Sequence, residues 1–105
     1  MKTNGKYILK GKKVVPEYDL MKWGKWFETA ERHVADTKIG KVRVSTVFLG
    51  LDHNWGMGKP ILFEMMVFGG KHDQYQERYH TWEEAERGHQ KALKMVKDPS
   101  LNRRG

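Results

Sequence analysis

The sequence predicts an α+β fold: a small antiparallel sheet of three to four strands packed by a C-terminal helix, with an N-terminal hairpin and a short helix. Three observations predict it. Residues 41–51 and 61–68 are rich in β-branched, aromatic and long apolar side chains, and the first begins with a clean two-residue alternation. Thr81-Trp-Glu-Glu84 is a capping box, in which the Thr hydroxyl and the Glu carboxylate satisfy first-turn amides reciprocally. Gly and Pro fall between these segments, where turns are needed.

Taken in order, the apolar pairs at Tyr7 to Leu9 and Val14 to Val15 flank Lys10-Gly11-Lys12, which reads as a hairpin closed by Pro16. Asp19 then has the chemistry of an N-cap, and Leu20, Trp23, Phe27 and Ala30 follow at helical spacing. A helix is expected over 19–30, with Trp23 and Phe27 in the core and Trp26 off that stripe and partly exposed. Residues 32–38 and 41–51 read as strands around Ile39-Gly40. From Val47 onward both faces of the second are apolar, so that end is expected to be covered on both sides. Residues 61–68 are apolar on both faces except at Glu64 and read as a central strand ended by Gly69-Gly70. Residues 75–80, with Tyr75 and Tyr79, make the fourth strand. Trp82, Ala85, His89, Ala92 and Val96 form one helical stripe, with Glu83, Glu84 and Glu86 toward its positive end and Lys91, Lys94 and Lys97 toward its negative end. Pro99 stops it. One domain over 1–98 and a basic tail over 99–105 follow.

The chain of 105 residues has formal charge +7, and such an excess of cations draws attention to polyanions. Its distribution narrows that reading. Residues 1–25 hold seven lysines against Glu17 and Asp19, Arg103 and Arg104 add two charges at the other end, and residues 26–98 balance eleven cations with eleven anions. The absence of cysteine excludes disulfides, thiolate metal sites and a cysteine nucleophile. No apolar run of about eighteen residues is present, so no membrane association is expected. No helix-turn-helix, zinc-finger or RNP signature appears.

Four stretches carry a resemblance: Lys22-Trp-Gly-Lys-Trp-Phe-Glu28, Val44-Ser-Thr-Val-Phe-Leu-Gly-Leu-Asp-His53, Leu62-Phe-Glu-Met-Met-Val-Phe-Gly-Gly70 and Tyr79-His-Thr-Trp-Glu-Glu-Ala-Glu-Arg-Gly-His89. Over about residues 7–96 the chain resembles a family of small bacteriophage and prophage proteins of unknown function. It departs from that pattern at Met65, where Thr is usual, at Lys59-Pro60, and in the basic character of its N-terminal arm. The resemblance implies a phage accessory protein in the cytoplasm of an infected bacterial host, and carries over no catalytic residue.

The richest segment is residues 52–60, Asp52-His-Asn-Trp-Gly-Met-Gly-Lys-Pro60, set between two strands. Read as a ligand loop, His53 and Lys59 meet an anion, Asn54 supplies an amide and Trp55 stacks on a ring, with Arg43 and Arg78 as further ligand-binding candidates. Read structurally, Trp55 folds back to cap the core. The segment is no phosphate loop, because the first Gly is missing and Pro60 stands in place of the hydroxyl. Glu64 shares a face with Leu62, Met66 and Phe68. It requires either a salt bridge, to Arg43 or Arg78, or an edge position, or it is a carboxylate tuned for acid–base work.

His33, His53, His72, His80 and His89, near Asp36, Asp52, Asp73 and Glu77, lack any recognised metal spacing, so no metal and no cofactor is expected. His33 and Asp36 should point to opposite faces of a regular strand. A triad of Ser45, His53 and Asp52 lacks a strained nucleophile turn and an evident oxyanion hole. Two functional readings result. One is a non-catalytic binding protein for a host or phage protein or an anionic nucleotide or nucleic acid, plausible as a homodimer or higher homo-oligomer. The other is a small hydrolase or nucleotide-modifying enzyme using Glu64, His53 and Asp52.

Overall fold

The computed structural model describes residues 5–98. The expected basic tail over 99–105 and the Pro99 helix stop lie outside the described residues.

Gly11 takes φ +63 between two short strands, and the N-terminal hairpin forms from β1 (Tyr7–Lys10) and β2 (Lys13–Pro16). Asp19 caps α1 (Leu20–Thr29), its carboxylate accepting from the amides of Met21 and Lys22. A four-stranded antiparallel meander follows in chain order: β3 (His33–Ile39), β4 (Val42–Phe48), β5 (Phe63–Phe68) and β6 (Gln76–Tyr79). The capping box of Thr81 and Glu84 opens α2 (Trp82–Lys97). The α+β class is therefore the observed one.

Alternation sorts the sheet into two faces. Val44, Thr46 and Phe48 of β4 and Phe63, Met65 and Val67 of β5 are fully buried, and Ala85, Ala92 and Leu93 of α2 close over that face. The hairpin residues Tyr7, Leu9 and Val14 pack against the Phe48–Phe63 end of the same core. Among the described residues no helix packs on the opposite face. Met66 is half-buried there and Phe68 is 41% exposed, with the Arg43 guanidinium 5.7 Å from its ring centroid. Double-sided cover of 47–51 is likewise incomplete. Phe48 is sealed, Val47 and Leu49 are half-buried, and Leu51 is exposed. That strand stops at Phe48 because Gly50 turns the chain at φ +78, and Leu51 forms only an isolated bridge with Lys6.

Two sequence expectations are corrected. Trp23 and Phe27, expected in the core, are only half-buried and stack on each other at 4.8 Å, whereas Trp26 is partly exposed as expected and meets Phe48 edge-on at 5.8 Å. The Trp23–Phe27 stripe packs on the Gly50 turn, where Trp23 Nε1 donates to the carbonyls of Tyr7 and Gly50, and not on the sheet core. His33 and Asp36 share a face, with Nε2 3.7 Å from Oδ2, because a bulge between His33 and Ala35 shifts the register.

His89 is the one fully buried ring on α2 that can ionise. Thr46 Oγ1 lies 2.7 Å from its Nδ1 and Thr37 Oγ1 lies 2.9 Å from its Nε2. Burial holds its pKa below the ordinary histidine value, against the pull of the Asp36 charge. On unfolding the ring gains a proton near pH 6.5 that the folded protein refuses, so stability falls as pH drops through that value. The thermal midpoint measured from pH 7 to pH 5 should decline in the wild type and decline less steeply in His89→Leu; parallel slopes would contradict this assignment.

Two helical glycines make a second test. A Cβ on Gly88 would collide with the Tyr79 hydroxyl and ring, whereas one on Gly24 would meet nothing. Alanine gains roughly 1 kcal/mol of helix propensity at either site, and at Gly88 overpacking of about 1–3 kcal/mol opposes it. Denaturant unfolding should therefore show Gly24→Ala stabilised and Gly88→Ala destabilised.

Candidate functional site

The connection between β4 and β5 is a hairpin extension braced from inside. Leu49 N–H donates to the Leu62 carbonyl at 2.7 Å and His53 N–H to the Ile61 carbonyl at 3.0 Å. Beyond them, Asp52 is the hub. Its carboxylate accepts from the amides of Asn54 at 2.7 Å, Ile61 at 3.0 Å and Gly56 at 3.1 Å. Partial burial disfavours its charge, yet the three amides outweigh that cost and hold its pKa below the ordinary carboxylate value. The Asn54 side-chain amide donates to the carbonyls of Met57 at 2.7 Å and Lys59 at 2.8 Å. His53 Nδ1 donates to the Leu51 carbonyl, and His80 Nδ1 donates to the Pro60 carbonyl, each at 2.8 Å. The second bond ties the loop to the start of α2.

With Asp52 and Asn54 turned inward, the loop turns its large apolar side chains out. Trp55 is 87% exposed and Met57 77% exposed. Trp55 also holds φ +54, a left-handed conformation that costs a non-glycine residue about 1–2 kcal/mol. The Trp55 ring therefore does not cap the core. Between the loop and the N-terminal residues Gly5, Lys6 and Tyr7 lies a hollow of about 830 Å³ beside His53 and Trp55. The basic arm thus reaches the loop: the Asp52 amide donates to the Gly5 carbonyl at 2.8 Å, and Lys6 bridges Leu51.

Of the sequence candidates, Asp52, His53, Asn54, Trp55 and Lys59 come together here. Arg43 and Arg78 do not join them and belong to the uncovered sheet face. Arg43 makes a two-pronged bond to Asp36, 2.8 Å for each prong, at the end of β4 remote from the loop. The Arg43 bond is the main reason that the Asp36 pKa lies below its ordinary value. Arg78 bonds Glu64 at 3.0 Å, which supplies the salt bridge that Glu64 required. Glu64, His53 and Asp52 are each engaged elsewhere, with Arg78, the Leu51 carbonyl and the loop amides respectively, and Ser45 lies mid-strand, facing Asp36 and Met66 across the ladder. Among the described residues no group of three or more His, Cys, Asp or Glu is placed to hold a metal, and no helix is long and apolar enough to cross a membrane.

Met57 went unnoticed in the sequence, as did the bracing role of Asp52. Its signal was present: Asp52-x-Asn54 followed by Gly56 and Gly58 is the composition of successive side-chain-capped turns.

Replacing the Asp52 carboxylate should unbrace the loop without dissolving the sheet. Asp52→Ala is expected to cost about 1–3 kcal/mol, the usual penalty for leaving donors without an acceptor. Amide exchange at Asn54, Gly56 and Ile61 should rise at least tenfold while that of β4 and β5 changes little; unchanged exchange at all three would contradict the bracing. In comparisons with family models, curated proteins and solved structures, nothing matches this chain.

Proposed function

We propose that the protein is a non-catalytic binding protein that presents residues 52–60 to a protein partner, with Trp55 and Met57 as its anchoring side chains. The observation that carries this reading is an 87%-exposed Trp55 held at positive φ on a loop braced by the side chains of Asp52 and Asn54. Large rigid aromatics dominate binding energy at protein interfaces, and a braced loop loses little conformational entropy on docking. Apolar side chains bared together on a braced loop are the kind of surface that marks an interaction site. The resemblance to phage and prophage proteins supports a setting in the infected bacterial cytoplasm, with a host or defence component as the partner. The hollow beside Lys6, His53 and Trp55 makes an anionic nucleotide the ligand to test against.

The test is retention of host proteins from bacterial lysate on immobilised wild type, Trp55→Ala and Met57→Ala, with folding checked by thermal midpoint. A partner held by the wild type and lost by more than tenfold from Trp55→Ala at unchanged midpoint supports the reading. No retained protein, or equal retention by both variants, overturns it. Nucleotide binding without a protein partner would reassign the loop to the small ligand, and sedimentation of each variant identifies a second copy as the occupant.

A further inference from the structure

A second surface lies away from the 52–60 tip. Between β6 and α2 runs a groove of about 880 Å³, lined by residues that include Met65, Tyr79, Gly88, Ala92 and Met95. Met65 and Ala92 are buried in its floor, and Gly88 lets the Tyr79 ring lie against the helix. One bank is the outer edge of β6. This strand pairs only with β5, so the backbone groups on its other side have no strand partner among the described residues. The other bank carries Arg87, Lys91 and Lys94, all exposed and, among the described residues, in no ion pair. Lys94 complements the negative end of α2, but Arg87 and Lys91 precede its last turn, so that role does not account for them. The carboxylates at the groove are already engaged: Glu84 in the capping box and Glu77 with the Tyr75 hydroxyl at 2.6 Å.

We infer that this groove binds an extended, acidic segment of another protein, which adds to β6 as a fifth strand. Edge addition supplies main-chain bonds irrespective of side chains, and the neighbouring groove and charges supply selectivity. The dimensions agree. Residues three or four apart on one helix face stand about 5–6 Å apart, and alternate residues of an extended chain about 7 Å apart. Acidic side chains on one side of an added strand therefore come within reach of Arg87, Lys91 and Lys94. The four residues of β6 set the length at about 13 Å.

Charge selects this occupant over the others. The parts of the chain outside the described residues carry Lys2, Arg103 and Arg104 and no Asp or Glu, the wrong sign for this bank. A second copy paired through β6 would bring two sets of Arg87, Lys91 and Lys94 toward each other.

The experiment is selection of a displayed library of random ten-residue peptides against the full chain, then fluorescence anisotropy with the labelled winner. Enriched sequences should carry two or more Asp or Glu interspersed with aliphatic or aromatic residues. Arg87→Glu/Lys91→Glu should weaken the winner more than tenfold with the thermal midpoint within a few degrees of wild type. Amides of β6 that do not bond β5 should gain exchange protection on binding. If the double variant unfolds, Lys91→Gln with a salt titration replaces it, and a threefold or greater loss with a shallower salt dependence is expected. Trp55→Ala should leave peptide affinity unchanged, which separates this site from the loop. No enrichment, enrichment of basic or neutral peptides, or full affinity in the charge variants overturns the inference. So does tighter binding of a labelled oligo(dT) strand abolished by the same substitutions, which would make the bank a nucleic-acid site.

Discussion

His89 joins α2 to two strands at once, one ring nitrogen to Thr46 of β4 and the other to Thr37 of β3. A neutral imidazole offers one donor and one acceptor, and a hydroxyl can play either part, so both bonds of the buried ring are satisfied without charge. This pin sets how α2 crosses the sheet. The next residue toward the start of the helix, Gly88, faces the Tyr79 ring, and the position of Tyr79 fixes the end of β6. One residue on, His80 holds the Pro60 carbonyl and anchors the base of the 52–60 loop. The core, the β6 groove and the exposed loop are thereby coupled through a few residues around one buried ring.

Much of the fold was legible because it is written locally. The Thr81–Glu84 box, the Asp19 cap and the Gly11 hairpin need only neighbours in sequence, and each forms as read. What periodicity could not convey was which side of an element has company. Met66 and Phe68 look like core residues, yet they lie on a face with no second layer among the described residues, and Arg43 laid over Phe68 is a contact no alternation announces. The helical stripe in α1 pointed to Trp23 and Phe27, and they do face inward, but onto the Gly50 turn, where they stay half-buried; Trp26 meets Phe48. A one-residue bulge sufficed to bring His33 beside Asp36. At the loop the residue types were legible and their direction was not. Trp55 could have turned either way, and the bonds of Asp52 and Asn54 that turn it outward depend on the folded path of the chain.

The charge balance has the same character. Residues 26–98 are neutral in sum, but the structure segregates their charges. Anions on the uncovered face are matched in place, Asp36 by Arg43 and Glu64 by Arg78. The cations Arg87, Lys91 and Lys94 stand apart on α2. The N-terminal lysines add local fields of their own, with Lys6 above the Trp23 ring at 5.8 Å and Lys12 above Trp82 at 6.0 Å. A net charge of zero thus coexists with one self-neutralised face and one electropositive bank, and it is the second that a charged partner would feel on approach.

The strands of the sheet follow one another in chain order, and the helix that covers them comes after all four. During synthesis, each strand can therefore pair with its predecessor soon after leaving the ribosome, while Val44, Phe63, Met65 and Val67 stay bare until α2 emerges. Until then Thr37 and Thr46 also lack the ring that joins them. A ribosome stalled before His89 would display a paired sheet with one sticky side, a natural substrate for chaperones. The burial that makes the finished protein stable is deferred to the arrival of its last helix.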